Sequence, residues 1–168
     1  MIGTDAKTET VALALGSNMG DRLAALRAAI AALAPFVTVE AVSGVYETPP
    51  VYVADQPAFL NAALLGATQL EPLTLLWALK HIEADLGRQP TFRYGPRLID
   101  IDVVFHGERR VTMPELTLPH PRLAEREFVL RPLADVAGKW RHPETGMTVD
   151  AMLAKLHDSA ARRLEDKL

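Results

Sequence analysis

The amino-acid sequence predicts an α+β fold: an antiparallel sheet of split βαβ, ferredoxin-like arrangement with helices packed on one face, extended by a C-terminal hairpin and helix. Three observations carry that expectation. Strand-length apolar runs alternate with two Ala/Leu-rich stretches of helical period. Their order is strand, helix, strand, strand, helix, strand. Proline or glycine stands at most of the changes from one segment to the next. No internal repeat, low-complexity stretch or long linker divides the 168 residues, so a single domain spanning 1–168 is expected.

The elements follow in order. Residues 1–10 are polar and read as a flexible lead-in. Val11-Ala-Leu-Ala-Leu15 is a short apolar run that reads as a buried strand, and Gly16-Ser-Asn-Met-Gly-Asp21 as the turn after it. Residues 22–34 place Leu23, Leu26, Ile30 and Leu33 at three- and four-residue spacing, an amphipathic helix that Asp21 favours at its start and Pro35 ends. Residues 37–46 and 59–70 read as the second and third strands. Pro72 opens a second helix over 73–86, and Gly87 closes it. Residues 98–105 read as the fourth strand, with His106-Gly107-Glu108 turning into 109–113. Beyond that, Pro-broken turns lead to a final helix near 148–157, and the charged residues 158–168 extend it or form a tail.

Composition excludes several classes of function. There is no cysteine, so disulfides and thiolate metal sites are ruled out. A net charge of -3 gives no global basic field for nucleic acid. No apolar run reaches membrane-spanning length, and the start lacks the pattern of a signal peptide. The expectation is a cytoplasmic monomer that acts on small molecules, with neither nucleic acid nor membrane as partner.

Chemistry concentrates in Gly95-Pro-Arg-Leu-Ile-Asp-Ile-Asp-Val-Val-Phe105. Alternation along a strand puts Asp100 and Asp102 on one face and Ile99, Ile101 and Val103 on the other. Adjacent like charges on a sheet repel, and aspartate is a poor strand former. A hard divalent cation resolves the conflict, with water and phosphate filling its remaining positions. Solvation, or pairing with nearby arginines, is the alternative. Arg88, Arg93 and Arg97 precede the pair, and His120 and Arg126 follow it. Arginine suits phosphate oxygens. Acid for a metal beside base for phosphate is what phosphoryl transfer requires. Gly16-Ser-Asn-Met-Gly-Asp21 matches neither a dinucleotide fingerprint nor a P-loop. Phe59 and Asn61 share a strand face, a ring to stack on and an amide to bond an edge; core packing and a backbone partner are the alternatives. Two long loops, 47–57 and 87–97, have the length of lids or binding loops.

Taken together, Leu15-Gly-Ser-Asn-Met-Gly20, Val45-Tyr-Glu-Thr-Pro-Pro50, Asp55-Gln-Pro-Ala-Phe-Leu-Asn61, Gly95-Pro-Arg-Leu-Ile-Asp-Ile-Asp102 and Leu118-Pro-His-Pro-Arg122 resemble the 6-hydroxymethyl-7,8-dihydropterin pyrophosphokinases. The likeness runs from about Val11 to Leu156 with its motifs in the family's order. It implies an ATP-dependent diphosphokinase of folate synthesis that moves pyrophosphate from ATP to the pterin hydroxymethyl group and releases AMP. It also implies that Asp100 and Asp102 hold two Mg²⁺ ions. Arg88, Arg93, Arg97, His120 and Arg126 contact phosphates, and Glu83 lies near the nucleotide. Thr48, Pro49, Val51, Phe59, Asn61, Tyr94 and Phe128 form the pterin pocket, Phe59 and Phe128 as stacking rings. The sequence departs from the family at Pro90, where many members carry a second arginine, and at Tyr94, where some carry tryptophan. Arg93 and Arg126 are therefore expected to carry more of the phosphate charge. Rival readings are a single-stranded RNA module, a non-catalytic relative, and an Mg-ATP transferase with another planar acceptor.

Overall fold

The computed structural model describes residues 6–88, 91–157 and 159–168. Pro90, residues 1–5 of the expected lead-in and residue 158 of the expected tail lie outside the described residues. The elements are β1 (Glu9–Ser17), α1 (Arg22–Ala32), β2 (Thr38–Val42), β3 (Tyr46–Thr48), β4 (Phe59–Thr68), α2 (Pro72–Asp85), β5 (Asp100–His106), β6 (Val111–Thr112), β7 (Thr117–Leu118), α3 (Glu127–Ala137), α4 (Val149–Ala154) and β8 (Arg162–Arg163). A single 3-10 turn, Leu123–Glu125, precedes α3.

The main sheet has the order β5-β1-β4-β3-β8, and β2 also pairs with β4. Every pairing in it is antiparallel. From β1 to β5 the elements follow the expected order, except that the second strand is broken in two. The break has a local cause. The Ser43 hydroxyl accepts from the Ala63 N–H at 2.8 Å, where a strand would offer a carbonyl. The next amide, Gly44, donates to Asp135 on α3 at 3.0 Å.

One face of the sheet carries α1 and α2. Leu13, Leu15, Leu60, Leu64, Ile101 and Val103 pack there against Leu26, Leu33, Leu75, Leu79 and Ile82. Asp21 caps α1 by accepting from the Ala24 N–H at 3.1 Å, an interaction of about 1 kcal/mol. The other face was expected to be free, and it is not. Ala12, Ala14, Ala63, Val104 and Phe105 pack against Val129, Leu130 and Leu133 of α3 and Val149 and Met152 of α4. The fold thus has helices on both faces. The sequence hid α3 because Pro132 lies inside it. Proline removes one helical hydrogen bond, and burial of Val129, Leu130, Leu133 and Ala137 offsets that loss.

Two other expectations are corrected. The strand after Gly107 pairs with β7, not with β5, and forms a separate two-stranded sheet. The residues after α4 (Val149–Ala154) do not prolong it; residues 162–163 become a strand on the free edge of β3.

Gly66 marks a tight place in this frame. A Cβ there would stand 2.8 Å from the Thr38 carbonyl oxygen and closer still to Val37. Gly66→Ala is expected to destabilise the protein by about 1–3 kcal/mol, the usual cost of overpacking. Urea unfolding would register this as a lower midpoint with an unchanged slope.

Candidate functional site

The α3 layer covers only part of its sheet face, and the uncovered part is the floor of a cleft of about 270 Å³. Register fixes the floor. Asn61, Gly16 and Asp100 lie abreast on β4, β1 and β5. Ala63, Ala14 and Asp102 form the next row. Along β1 this face carries the small residues Ala12, Ala14 and Gly16, and the last two line the cleft. A Cβ at Gly16 would stand 2.9 Å from the Asn61 Oδ1. The carboxylates and Asn61 therefore lie two strand spacings apart, about 10 Å, with open floor between them.

On the β4 side, Asn61 donates its amide to the Thr48 hydroxyl, and Phe59 pairs across the strands with Thr48. This answers the question posed by an amide in an apolar strand: its nitrogen is satisfied within the protein. Pro49, Val51, Tyr94 and Phe128 line the same cleft.

On the β5 side, Asp100 and Asp102 both line the cleft. Arg88 Nη1 lies 3.0 Å from Asp100 Oδ1 and is also bonded to Glu83. Glu83 is 2% exposed and accepts from the Ile101 N–H at 3.3 Å. Lys80 Nζ lies 3.4 Å from its other oxygen, close enough for an ion pair but out of line for a hydrogen bond. Glu83, Arg88 and Arg93 do not line the cleft. Glu83 lies beneath Arg88, and Arg88 reaches the site through Asp100. Arg93 is exposed and directs Nη2 to the Tyr94 hydroxyl at 2.9 Å.

Asp102 retains some surface open to the cleft, yet the protein around it strips most of its solvation. Its carboxyl is pushed well above the ordinary carboxylate range, first by burial and then by the charges of Asp100 and Glu83. No ion pair reaches Asp102 among the described residues, which also form no cluster of three or more metal-ligating side chains. A desolvated carboxylate pair with one unneutralised member fits Mg²⁺, which takes few protein ligands and keeps water or phosphate oxygens in its other positions.

Basic and aromatic side chains share the cleft with the carboxylates. His120, Arg97 and Arg126 are the basic ones. Burial, then the positive charge of Arg126, depresses His120 to about 4, so it is a neutral imidazole at neutral pH. Arg126 Nε donates to the Tyr52 hydroxyl at 3.1 Å, and its guanidinium lies over the Phe128 ring. The Tyr52 and Tyr94 rings are 4.3 Å apart and bring the two long loops together. Arg122 lies 4.4 Å over Tyr52 and donates to the Tyr94 hydroxyl at 3.0 Å. Hydrogen bonds, first from Arg93, lower the Tyr94 phenol from its usual value. Tyr94 has φ +60°, a left-handed conformation uncommon outside glycine.

Sequence reasoning missed Tyr52, Gln56, Arg122 and Asn18. Asn18 Nδ2 donates to Gln56 Oε1 at 3.0 Å and to the Pro57 carbonyl at 3.1 Å. Its Oδ1 accepts from the Arg97 N–H at 2.7 Å. Gln56 Nε2 in turn donates to the Tyr94 carbonyl at 2.8 Å. The turn that fits no phosphate loop thus ties both long loops to the sheet. A 2% exposed asparagine in a turn is the kind of buried polar group that calls for such partners.

The family model described as 7,8-dihydro-6-hydroxymethylpterin-pyrophosphokinase matches residues 12–138. The chain is 46% identical to a 2-amino-4-hydroxy-6-hydroxymethyldihydropteridine pyrophosphokinase of Methylorubrum extorquens, over 91% of this chain and 97% of that one. It is 43% identical to the Bacillus subtilis protein of the same description, over 82% and 84%. A folate synthesis bifunctional protein of Arabidopsis thaliana is 49% identical over 76% of this chain, which spans only 23% of that longer relative. In fold, the chain is similar to Plasmodium falciparum HPPK-DHPS, with a TM-score of 0.76 at 16% identity, covering 91% of this chain and 46% of that one. No helix among the described residues is long and apolar enough to cross a membrane.

The raised Asp102 carboxyl has a consequence for stability. Its native value lies above the unfolded one of about 3.9, so ionisation in the folded state costs stability at neutral pH and costs none below both values. Asp102→Asn is therefore expected to raise the melting temperature of metal-free protein by about 2–4 °C at pH 8. The gain should shrink as the pH falls toward 4. Thermal melts in chelator at several pH values test this.

Proposed function

The chain belongs to the 7,8-dihydro-6-hydroxymethylpterin-pyrophosphokinase family, and on that premise we propose that it transfers pyrophosphate from ATP to 6-hydroxymethyl-7,8-dihydropterin, releasing AMP, in folate synthesis. One observation supports this reading above the others: a single cleft holds a ring-and-amide niche on β4 and a carboxylate pair on β5, about two strand spacings apart. A planar acceptor on one side and a triphosphate on the other match that separation.

Phe59 and Phe128 stack on the pterin, and Thr48, Asn61 and the backbone near Pro49 bond its edge. With Asn61 Nδ2 already engaged by Thr48, Oδ1 is the atom left to accept from a ring amino group. Val51 and Tyr94 close this end. Asp100 and Asp102 would hold Mg²⁺, two ions in this reading, and the metal supplies positive charge against the phosphates. Arg97, Arg126 and neutral His120 donate to phosphate oxygens. Arg88 fixes Asp100, and Glu83 fixes Arg88. The hydroxymethyl oxygen attacks the β-phosphorus as the bond from that phosphorus to the α-phosphate oxygen breaks. The hydroxyl proton leaves to solvent, and the loops carrying Tyr52 and Tyr94 keep water from the β-phosphorus. In the same reading, the six-element core is ferredoxin-like with the α3–α4 layer added. The whole chain is one pyrophosphokinase domain, acting as a monomer in the cytoplasm.

The test is AMP release from ATP and Mg²⁺ with and without the pterin. Pterin-dependent AMP is expected, falling at least about 10²-fold in Asp102→Ala. No AMP from folded wild type would remove this acceptor from consideration. Arg126→Ala is expected to lower kcat/KM about 10- to 100-fold. Arg93→Ala, altering an exposed side chain outside the cleft, should cost less, about threefold. Equal losses would mean that Arg93 reaches the phosphates during turnover.

A further inference from the structure

We propose that residues 159–168 form a strap that sets the acceptor side of the cleft, with Glu127 as its anchor and a positioning residue. The idea rests on the reading that the β4 side takes the pterin. The strap lies outside residues 12–138, the part of the chain that the family model matches.

Two contacts define it. At its start, the Ser159 hydroxyl and the Ala161 N–H both donate to Glu127 Oε1, at 3.1 and 3.0 Å. Glu127 opens α3 and stands between Arg126 and Phe128, which both line the cleft. Three residues on, the strap joins the sheet. Arg162 and Arg163 pair with Glu47 and Tyr46 of β3, and the Leu164 N–H donates to the Val45 carbonyl at 2.8 Å. The next residue of β3 is Thr48, the partner of Asn61. One segment therefore grips both elements that flank the acceptor niche, the start of α3 and the end of β3.

Side chains reinforce the grip. Arg162 pairs with Glu47 at 2.9 Å, and Arg163 lies over the Tyr46 ring. Farther along, the Lys167 carbonyl accepts from Arg27 at 2.7 Å, and Leu164 and Leu168 pack against the core on the α1–α2 face. β3 is three residues long and meets β4 on one edge. Without the strap its other edge has no partner strand among the described residues. A strand so short, paired on one side, holds its side chains weakly, and a small displacement of Thr48 is felt by a bound ring.

The test uses full-length variants away from the residues assigned to chemistry. Glu127→Ala removes the acceptor at α3, and Leu164→Pro removes the donor to Val45. Each is expected to raise KM for the pterin about fivefold while leaving KM for ATP and kcat within about twofold. Hydrogen exchange should show lost protection over residues 45–48. Glu127→Gln keeps an oxygen for both donors and should restore wild-type KM. Lost protection with an unchanged pterin KM would overturn the strap's role in acceptor binding, as would an equal rise in both KM values. Wild type that makes no pterin-dependent AMP would instead overturn the underlying assignment, and the strap proposal with it.

Discussion

The site is organised around the repulsion between Asp100 and Asp102. Two carboxylates on one strand face, partly withdrawn from water, carry an electrostatic cost that a protein tolerates only where something else uses their charge. The surroundings partition that cost unequally. Asp100 shares Arg88 with Glu83, whereas Asp102 has burial and two like charges around it. The arginines that line the cleft, Arg97 and Arg126, form no ion pair with either carboxylate among the described residues. They are not spent on neutralising the acids, so positive charge remains available for an anion brought into the cleft.

The second requirement is room. Sheets in this size range bury both faces only if helices cover them, and α3 does so on the face that bears the acids. On that face β1 carries only Ala12, Ala14 and Gly16, and β4 adds Ala63. Small side chains allow the helix to approach where it packs and leave open floor where it ends. The helix then contributes to the site at its own start, through Arg126 just before it and Phe128 and Val129 within it. Core packing and the cleft are thus two consequences of one stripe of small residues.

Much of this was legible in the sequence. The order of the first six segments, the facing of Asp100 and Asp102 and the amphipathic helices all follow from periodicity, which depends on side-chain direction alone. The α3 layer was not legible because Pro132 masks a helical pattern whose apolar residues, Val129, Leu130, Leu133 and Ala137, are in register with one face. The continuous apolar run from Val11 to Leu15 already carried the signal that both faces of β1 are covered. Of the site residues named from sequence, those on strands fall where alternation puts them. Those on loops, such as Arg93 and Tyr94, depend on long-range partners, and no local rule supplies these. The strand pairing of residues 162–163 was invisible for a similar reason: two exposed arginines have no period.

Asn18 shows how such loops can be defined without regular secondary structure of their own. Its side chain joins the 47–57 loop to the 87–97 loop through Gln56 and the Arg97 amide, at the base of each loop. Each such hydrogen bond is worth about 1 kcal/mol net, and a buried asparagine that lost its partners would cost more than that gain. Tyr52 and Tyr94 are held as well: beside their tilted ring contact, Arg126 donates to the Tyr52 hydroxyl, Arg122 donates to the Tyr94 hydroxyl and Gln56 donates to the Tyr94 carbonyl. One hydrogen-bond network therefore runs from Asn18 through Gln56 to the Tyr94 backbone, and the same asparagine holds the Arg97 amide.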